Sequence, residues 1–131
     1  MIEIGKNSTA QEFYIDNYKM KVRVMPVAED YQYICSISLS DKDNSTSIKD
    51  VKSNMDIKKY SSHSTPRGGI QRVKQMIIND IEPIKDSLSN DFEYMYKLRN
   101  KGKYELTIKL TEIDGKELEK EILVSFDQEV K

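Results

Sequence analysis

The stretch Gly69–Leu88, GIQRVKQMIINDIEPIKDSL, decides how the whole chain is read. Its apolar residues Ile70, Val73, Ile77, Ile81, Ile84 and Leu88 recur at three- and four-residue steps, the spacing of one face of an amphipathic helix. Pro83 lies inside the run and has to kink or end such a helix, because it removes a backbone donor and clashes with the preceding turn. Just beyond, Asn90 followed by Glu93 has the form of a capping box, opening a second helix that carries Phe92, Met95 and Leu98, with Gly102 placed to end it.

Both flanks follow a different period. Phe13 and Ile15 match Tyr18 and Met20 about Asp16-Asn17, the register of a two-residue hairpin turn. Tyr18, Met20, Val22 and Val24 then alternate with Lys19, Lys21 and Arg23, and Tyr31, Tyr33, Cys35, Ile37 and Leu39 repeat the pattern, so the first 40 residues read as a three-stranded meander. After the helices, Tyr104, Leu106, Ile108 and Leu110 alternate with polar residues. A three-residue loop Ile113-Asp114-Gly115 would pair Leu110 with Leu118, Leu106 with Ile122 and Tyr104 with Val124. A two-residue turn at Asp114-Gly115 would put those apolar sets on opposite faces. The expected architecture is α+β, one antiparallel sheet of about five strands in the order β-β-β-α-α-β-β with two helices on one face. Residues 1–131 are expected to form a single domain. Residues 40–69 read as a long polar loop, with Ser47 and Asp50 able to cap a short helix that turns Ile48, Val51 and Met55 inward.

The formal net charge of -1 argues against a nucleic-acid surface, and no apolar run approaches the roughly 20 residues a membrane helix needs. One cysteine excludes an internal disulfide, and one histidine beside it leaves too few soft ligands for a structural zinc. Asp41-Lys42-Asp43-Asn44-Ser45 lacks the glycine and the distal Glu of a calcium loop. No metal or cofactor is expected, and a reducing cytoplasm suits the composition.

Local charge offers the one lead toward function. From Ile57 to Asn79 there are five bases, Lys58, Lys59, Arg67, Arg72 and Lys74, and no acid. Within this window Ser61–Gly69 is hydroxyl-rich and enters the expected helix, where unpaired N–H groups favour an anion. Ser64, Thr65, Arg67, Gly68, Gly69 and Arg72 are therefore the candidate ligand-binding residues. Arg67 would fork onto two phosphate oxygens and Ser64 or Thr65 would add a hydrogen bond. The structural alternative is a plain helix cap. His63 is the sole candidate acid or base, without a partner that sequence reveals. Eight tyrosines carry most of the aromatic surface: Tyr18, Tyr31, Tyr33 and Tyr104 at inward positions, Tyr60, Tyr94 and Tyr96 at positions harder to bury.

These features favour a non-catalytic binding protein of the inhibitor, immunity or sequestering type. Its ligand would be a protein partner or a phosphate-bearing small molecule such as a nucleotide, and a homo-oligomer is compatible. The alternative is a small phosphoester-processing enzyme using His63 and Arg67.

Overall fold

The computed structural model describes residues 2–3, 9–15, 17–27, 31–43, 48, 50–64, 68–85 and 91–130. Every regular element among them is a strand: β1 (Ile2–Glu3), β2 (Thr9–Ile15), β3 (Tyr18–Pro26), β4 (Gln32–Asp41), β5 (Lys52–Ser64), β6 (Ile70–Ile81), β7 (Ile84–Lys85), β8 (Phe92–Lys97), β9 (Gly102–Ile113) and β10 (Lys116–Val130). They form two five-stranded sheets, β1-β10-β9-β5-β6 and β2-β3-β4-β8-β7. All pairings are antiparallel except that of β1 with β10. The α+β expectation is overturned: the described residues hold no helix.

The segment Gly69–Leu88 shows why. Ile70–Ile81 is an edge strand, and its pairing with β5 slips twice, so that β6 carries an extra residue between Met76 and Ile78 and another between Ile78 and Ile81. Each bulge resets the two-residue alternation. Val73, Ile78 and Ile81 turn partly inward, whereas Met76 and Ile77 stay 44% and 43% exposed. The inward set is thus not the helical stripe, of which Ile77 and Ile84 are exposed. The abundance of β-branched Ile and Val favours the extended form. Pro83 separates β6 from β7 as the chain passes from one sheet to the other; Leu88 lies outside the described residues.

The expected second helix is strand β8. Phe92, Tyr94 and Tyr96, with Leu98 just beyond, are buried, and Glu93, Met95 and Lys97 alternate with them. The aromatic alternation outweighs a three-residue pattern that counted Phe92, Met95 and Leu98. Asn90, the expected cap, lies outside the described residues, as does Ser47 of the expected short helix; Ile48, Asp50 and Val51 are not helical. The polar stretch 40–69 supplies β5, which sits between β6 and β9 with Met55 and Ile57 fully buried.

The opening meander is present. Ile15 faces Tyr18 and Phe13 faces Met20, then β4 follows with Tyr33, Cys35, Ile37 and Leu39 inward. The last hairpin differs from its expected register. Lys116 faces Ile113 across a two-residue Asp114-Gly115 turn, both residues having positive φ (55° and 75°), the type I′ combination that matches strand twist. That turn alone would put the apolar sets on opposite faces. An irregularity between Glu117 and Ile122 shifts the register, so that Leu110 faces Ile122, Ile108 faces Val124 and Leu106 faces Phe126. The parity conflict is real, and the strand resolves it instead of the turn.

The two inner faces share one core, in which Phe13 of β2 meets Phe126 of β10 with ring centroids 6.2 Å apart. Tyr94 and Tyr96 are buried, against expectation, because each hydroxyl finds a partner across the sandwich: Ser53 Oγ for Tyr94, and Gln128 Oε1 at 2.6 Å from the Tyr96 hydroxyl that donates to it. Tyr31, expected inward, is exposed with φ 59°. Burial raises the Tyr94, Tyr96 and Cys35 ionisations above their ordinary values.

Leu106 is fully buried, so Leu106→Ala should cost about 2–5 kcal/mol in denaturant unfolding, whereas Ile77→Ala should cost well under half of that. Gln128 is fully buried and its Nε2 has no partner among the described residues. Gln128→Leu or Tyr96→Phe alone orphans a buried polar atom and should cost about 1–3 kcal/mol, and the double substitution should lie closer to wild type than either single.

Candidate functional site

The nominated anion loop is the tip of the β5–β6 hairpin. Backbone register pairs Ser62 with Arg72, His63 with Gln71 and Ser64 with Ile70. Gly68 bends with φ 81° and Gly69 leads into β6. Thr65 and Arg67 lie outside the described residues, as do the side chains of His63, Ser64 and Arg72. No helix starts at Gly69, so the unpaired N–H groups that a helix would have presented to an anion are not supplied.

The positive window is also less isolated than its sequence suggests, because β5 lies beside β9. Lys58 faces Glu105 in register, Lys74 Nζ lies 3.3 Å from the same carboxylate, and Lys59 Nζ sits 5.7 Å from the centre of the Tyr104 ring. Tyr60 directs its hydroxyl between Glu105 and Asp127, 3.1 Å from each carboxylate, under the ammonium of Lys103. Burial and the two carboxylates push its ionisation up. Farther along the same face, Lys109 Nζ is 3.0 Å from Asp56 and 3.6 Å from Asp80, and the Asp80 amide donates to Asp56 at 2.9 Å. The outer face of this sheet is a lattice of mutually neutralised charges.

The other sheet differs. The outward residues of β3 are Lys19, Lys21, Arg23 and Met25; those of β4 are Ser40, Ser38, Ser36 and Ile34, paired with them one for one. Serines are too short to fill the space beside long cationic side chains. A groove of about 260 Å³ results, lined by Lys21, Arg23, Met25, Ser36, Ser38 and Asp91. On the other flank of the Lys21–Arg23 ridge a second groove, about 280 Å³, is lined by Gln11, Glu12, Lys21, Val22 and Arg23. Lys21 has Glu12 at 3.9 Å. Arg23 stands opposite Ala10 and Ser36, which cannot pair with its charge, and has no ion-pair partner among the described residues. The sequence displayed this row as a polar strand face, but its significance depends on the small neighbours that register brings. The usable signal was three outward bases, Lys19, Lys21 and Arg23, facing three serines.

No protein-family model matches the chain, and no curated protein matches it. Solved structures share its fold. A DUF4426-family protein of Pseudomonas aeruginosa PAO1 superposes with a TM-score of 0.61 at 12% identity, over 92% of this chain and 94% of that one. FetP of uropathogenic Escherichia coli strain F11, recombinantly expressed in the periplasm, superposes with a TM-score of 0.57 at 9% identity, over 96% of this chain and 97% of FetP. A copper-bound variant of FetP gives 0.55 at 9% identity, over 92% and 95%. At such identities the likeness extends to the fold. Among the described residues no helix is long and apolar enough to cross a membrane.

The charge lattice makes an acid-side prediction. Burial alone would raise the Asp56 carboxyl, but the Asp80 amide and the Lys109 ammonium outweigh it and hold the carboxyl below its ordinary 3.8. A lowered folded value means that stability from Asp56 is present above the unfolded value and is lost as pH falls through the folded one. Carbon-detected pH titration should show Asp56 ionising below 3.8, and Lys109→Met should move it upward.

Proposed function

We propose that this chain is a non-catalytic binding protein of the inhibitor, immunity or sequestering type, acting in the cytoplasm, that takes an anionic group of a protein partner against the Lys21–Arg23 ridge. The observation that carries this reading is Arg23, an outward guanidinium between two grooves that has no ion-pair partner among the described residues. Guanidinium is the side chain best suited to fork onto a carboxylate or phosphate. Groove size favours a protein partner over a nucleotide: 260 and 280 Å³ fall below the roughly 300–1,000 Å³ of sites that enclose small molecules, and both hollows lie on an open sheet face.

Two reactive groups among the described residues are occupied elsewhere, while the side chains of His63 and Arg67 lie outside them. Cys35 is wholly buried with its thiol ionisation pushed up, which withholds the nucleophilic thiolate. Tyr60 is held between two carboxylates and ionises late. A copper role, which the metal-bound FetP variant brings to mind, finds little support in the described residues: the thiol of Cys35 is sealed in the core, the exposed Met76 and Met95 lie on different sheets, and there is no group of three His, Cys, Asp or Glu. The cytoplasmic assignment rests on the single cysteine, which leaves the fold without any disulfide to maintain.

Calorimetric titration with inorganic phosphate, a nucleotide panel and a glutamate-bearing peptide tests this reading. Peptide binding should weaken about fivefold in Arg23→Ala, the worth of an exposed ion pair of about 1 kcal/mol, and should weaken further with salt. Arg67→Ala should leave it unchanged. A nucleotide that binds wild type, keeps its affinity in Arg23→Ala and loses it in Arg67→Ala would place the site at the β5–β6 tip and overturn the proposal.

A further inference from the structure

The register of β3, β4 and β8 lays out the outer face of their sheet in cross-strand rows. Arg23 faces Ser36, and Ser36 faces Glu93 on its other side. One row along, Met25 faces Ile34 and Ile34 faces Met95. In the other direction Lys21 faces Ser38, and Asp91 lines the same groove as both. Each row is therefore balanced about β4: a base answers an acid, a methionine answers a methionine, and the residue between them is neutral. Arg23 and Glu93 stand two strand spacings apart, about 9.5 Å between backbones, and neither has an ion-pair partner among the described residues. The face is open to solvent: Lys21 and Arg23 are exposed, Met95 is 41% exposed, and the groove of about 260 Å³ follows the serines between them.

We infer that this face pairs with the same face of a second copy of the chain, about a two-fold axis running along β4. Such an axis keeps position along the strands and exchanges β3 with β8. Arg23 of each copy then meets Glu93 of the other, Met25 meets Met95, and Ile34 packs on Ile34 at the axis. A two-fold contact needs a surface complementary to itself, and the rows provide one. A single operation gives both unpaired charges a partner, and the methionines add adaptable apolar contact beside them. The inference rests on the reading that the ridge takes an anionic group of a protein partner, and it names that partner. Extent agrees: the ten residues of β4 run about 33 Å and five strands side by side cover about 24 Å, the scale of the roughly 800 Å² per partner in a standard interface. Facing sheets pack about 10 Å apart, within the combined reach of an arginine and a glutamate. The other sheet lacks this symmetry, because Lys74 and Lys103 already have Glu105 and Asp127 beside them.

Sedimentation of the full chain over a concentration series at low and high salt tests the inference, and amide chemical shifts locate the contact. Wild type should dimerise, less so as salt rises, and dilution should move the amides of β3, β4 and β8. Arg23→Glu and Glu93→Arg each set like charges face to face at both symmetry-related contacts, so each alone should raise the dissociation constant at least tenfold. Mixed together, the two variants should form a heterodimer of about wild-type affinity, because every contact between positions 23 and 93 again joins a base to an acid. If either charge reversal fails to fold, Arg23→Gln and Glu93→Gln take their place, each expected to weaken the dimer at least fivefold. A dimer indifferent to substitution at both positions uses another surface and overturns the inference. So does a mixture of folded variants that stays monomeric, or a wild type that is monomeric at millimolar concentration. In that last case a glutamate-bearing peptide separates the two readings: binding that weakens in Arg23→Ala leaves the ridge as an anion site, and no binding removes both.

Discussion

A side chain on a strand points to one of only two faces, and in a two-sheet sandwich one of those faces is shared with the other sheet. Every strand must therefore keep the parity of its apolar residues, and the fold depends on how this is done where the sequence breaks step. β9 keeps perfect alternation from Tyr104 to Leu110 and so provides a straight template. Its neighbours adjust to it. β10 leaves a tight turn with the wrong parity and recovers through an irregularity before Ile122; β6, one strand farther out, slips twice and never fully recovers. Loss of order grows toward the edge, where packing demands least. Where parity brings a polar residue inside, the opposite sheet answers it, as Tyr96 answers Gln128.

This dependence explains what the sequence revealed and what it hid. The β2–β3–β4 meander was legible because each strand keeps unbroken alternation and the connections are short, so local pattern and tertiary packing agree. The Gly69–Leu88 segment misled because its apolar residues fall at helical steps even where they are exposed, as at Ile77 and Ile84, while bulges remove the alternation that would have marked a strand. β8 was misread for a different reason. Its alternation was visible in Phe92, Tyr94, Tyr96 and Leu98, but buried tyrosines become plausible only once their hydroxyl partners are known, and Ser53 and Gln128 come from distant strands. In the last hairpin the parity conflict was recognised, while the device that removes it lies several residues from the turn.

Electrostatics followed the same logic. Counting charges along the chain gave Ile57–Asn79 a strong positive character, yet in a sheet the nearest neighbours of a residue lie on adjacent strands. β9 brings Glu105 to Lys58 and Lys74, and Asp127 reaches Lys103, so a run without acids became part of a neutralised surface. The converse holds for β3. Lys19, Lys21 and Arg23 alternate with apolar residues and looked like an ordinary solvated face, but β4 offers them serines and β2 offers Arg23 an alanine. The unpaired charge therefore lies in the shorter acid-free run Asn17–Ala28, with three bases, and not in the longer one.

The two outer faces can be ranked on that basis. On the β10-β9-β5-β6 side, a ligand anion would have to displace carboxylates already within about 4 Å of Lys74, Lys103 and Lys109, exchanging one ion pair for another with little net gain. On the β2-β3-β4-β8 side, Arg23 has no carboxylate within ion-pair distance to displace among the described residues. Exposed ion pairs contribute little singly, so a lone guanidinium gives direction more than affinity, and useful affinity requires a second source of contact close by. An outward cation without an ion-pair partner among the described residues separates this face from the other.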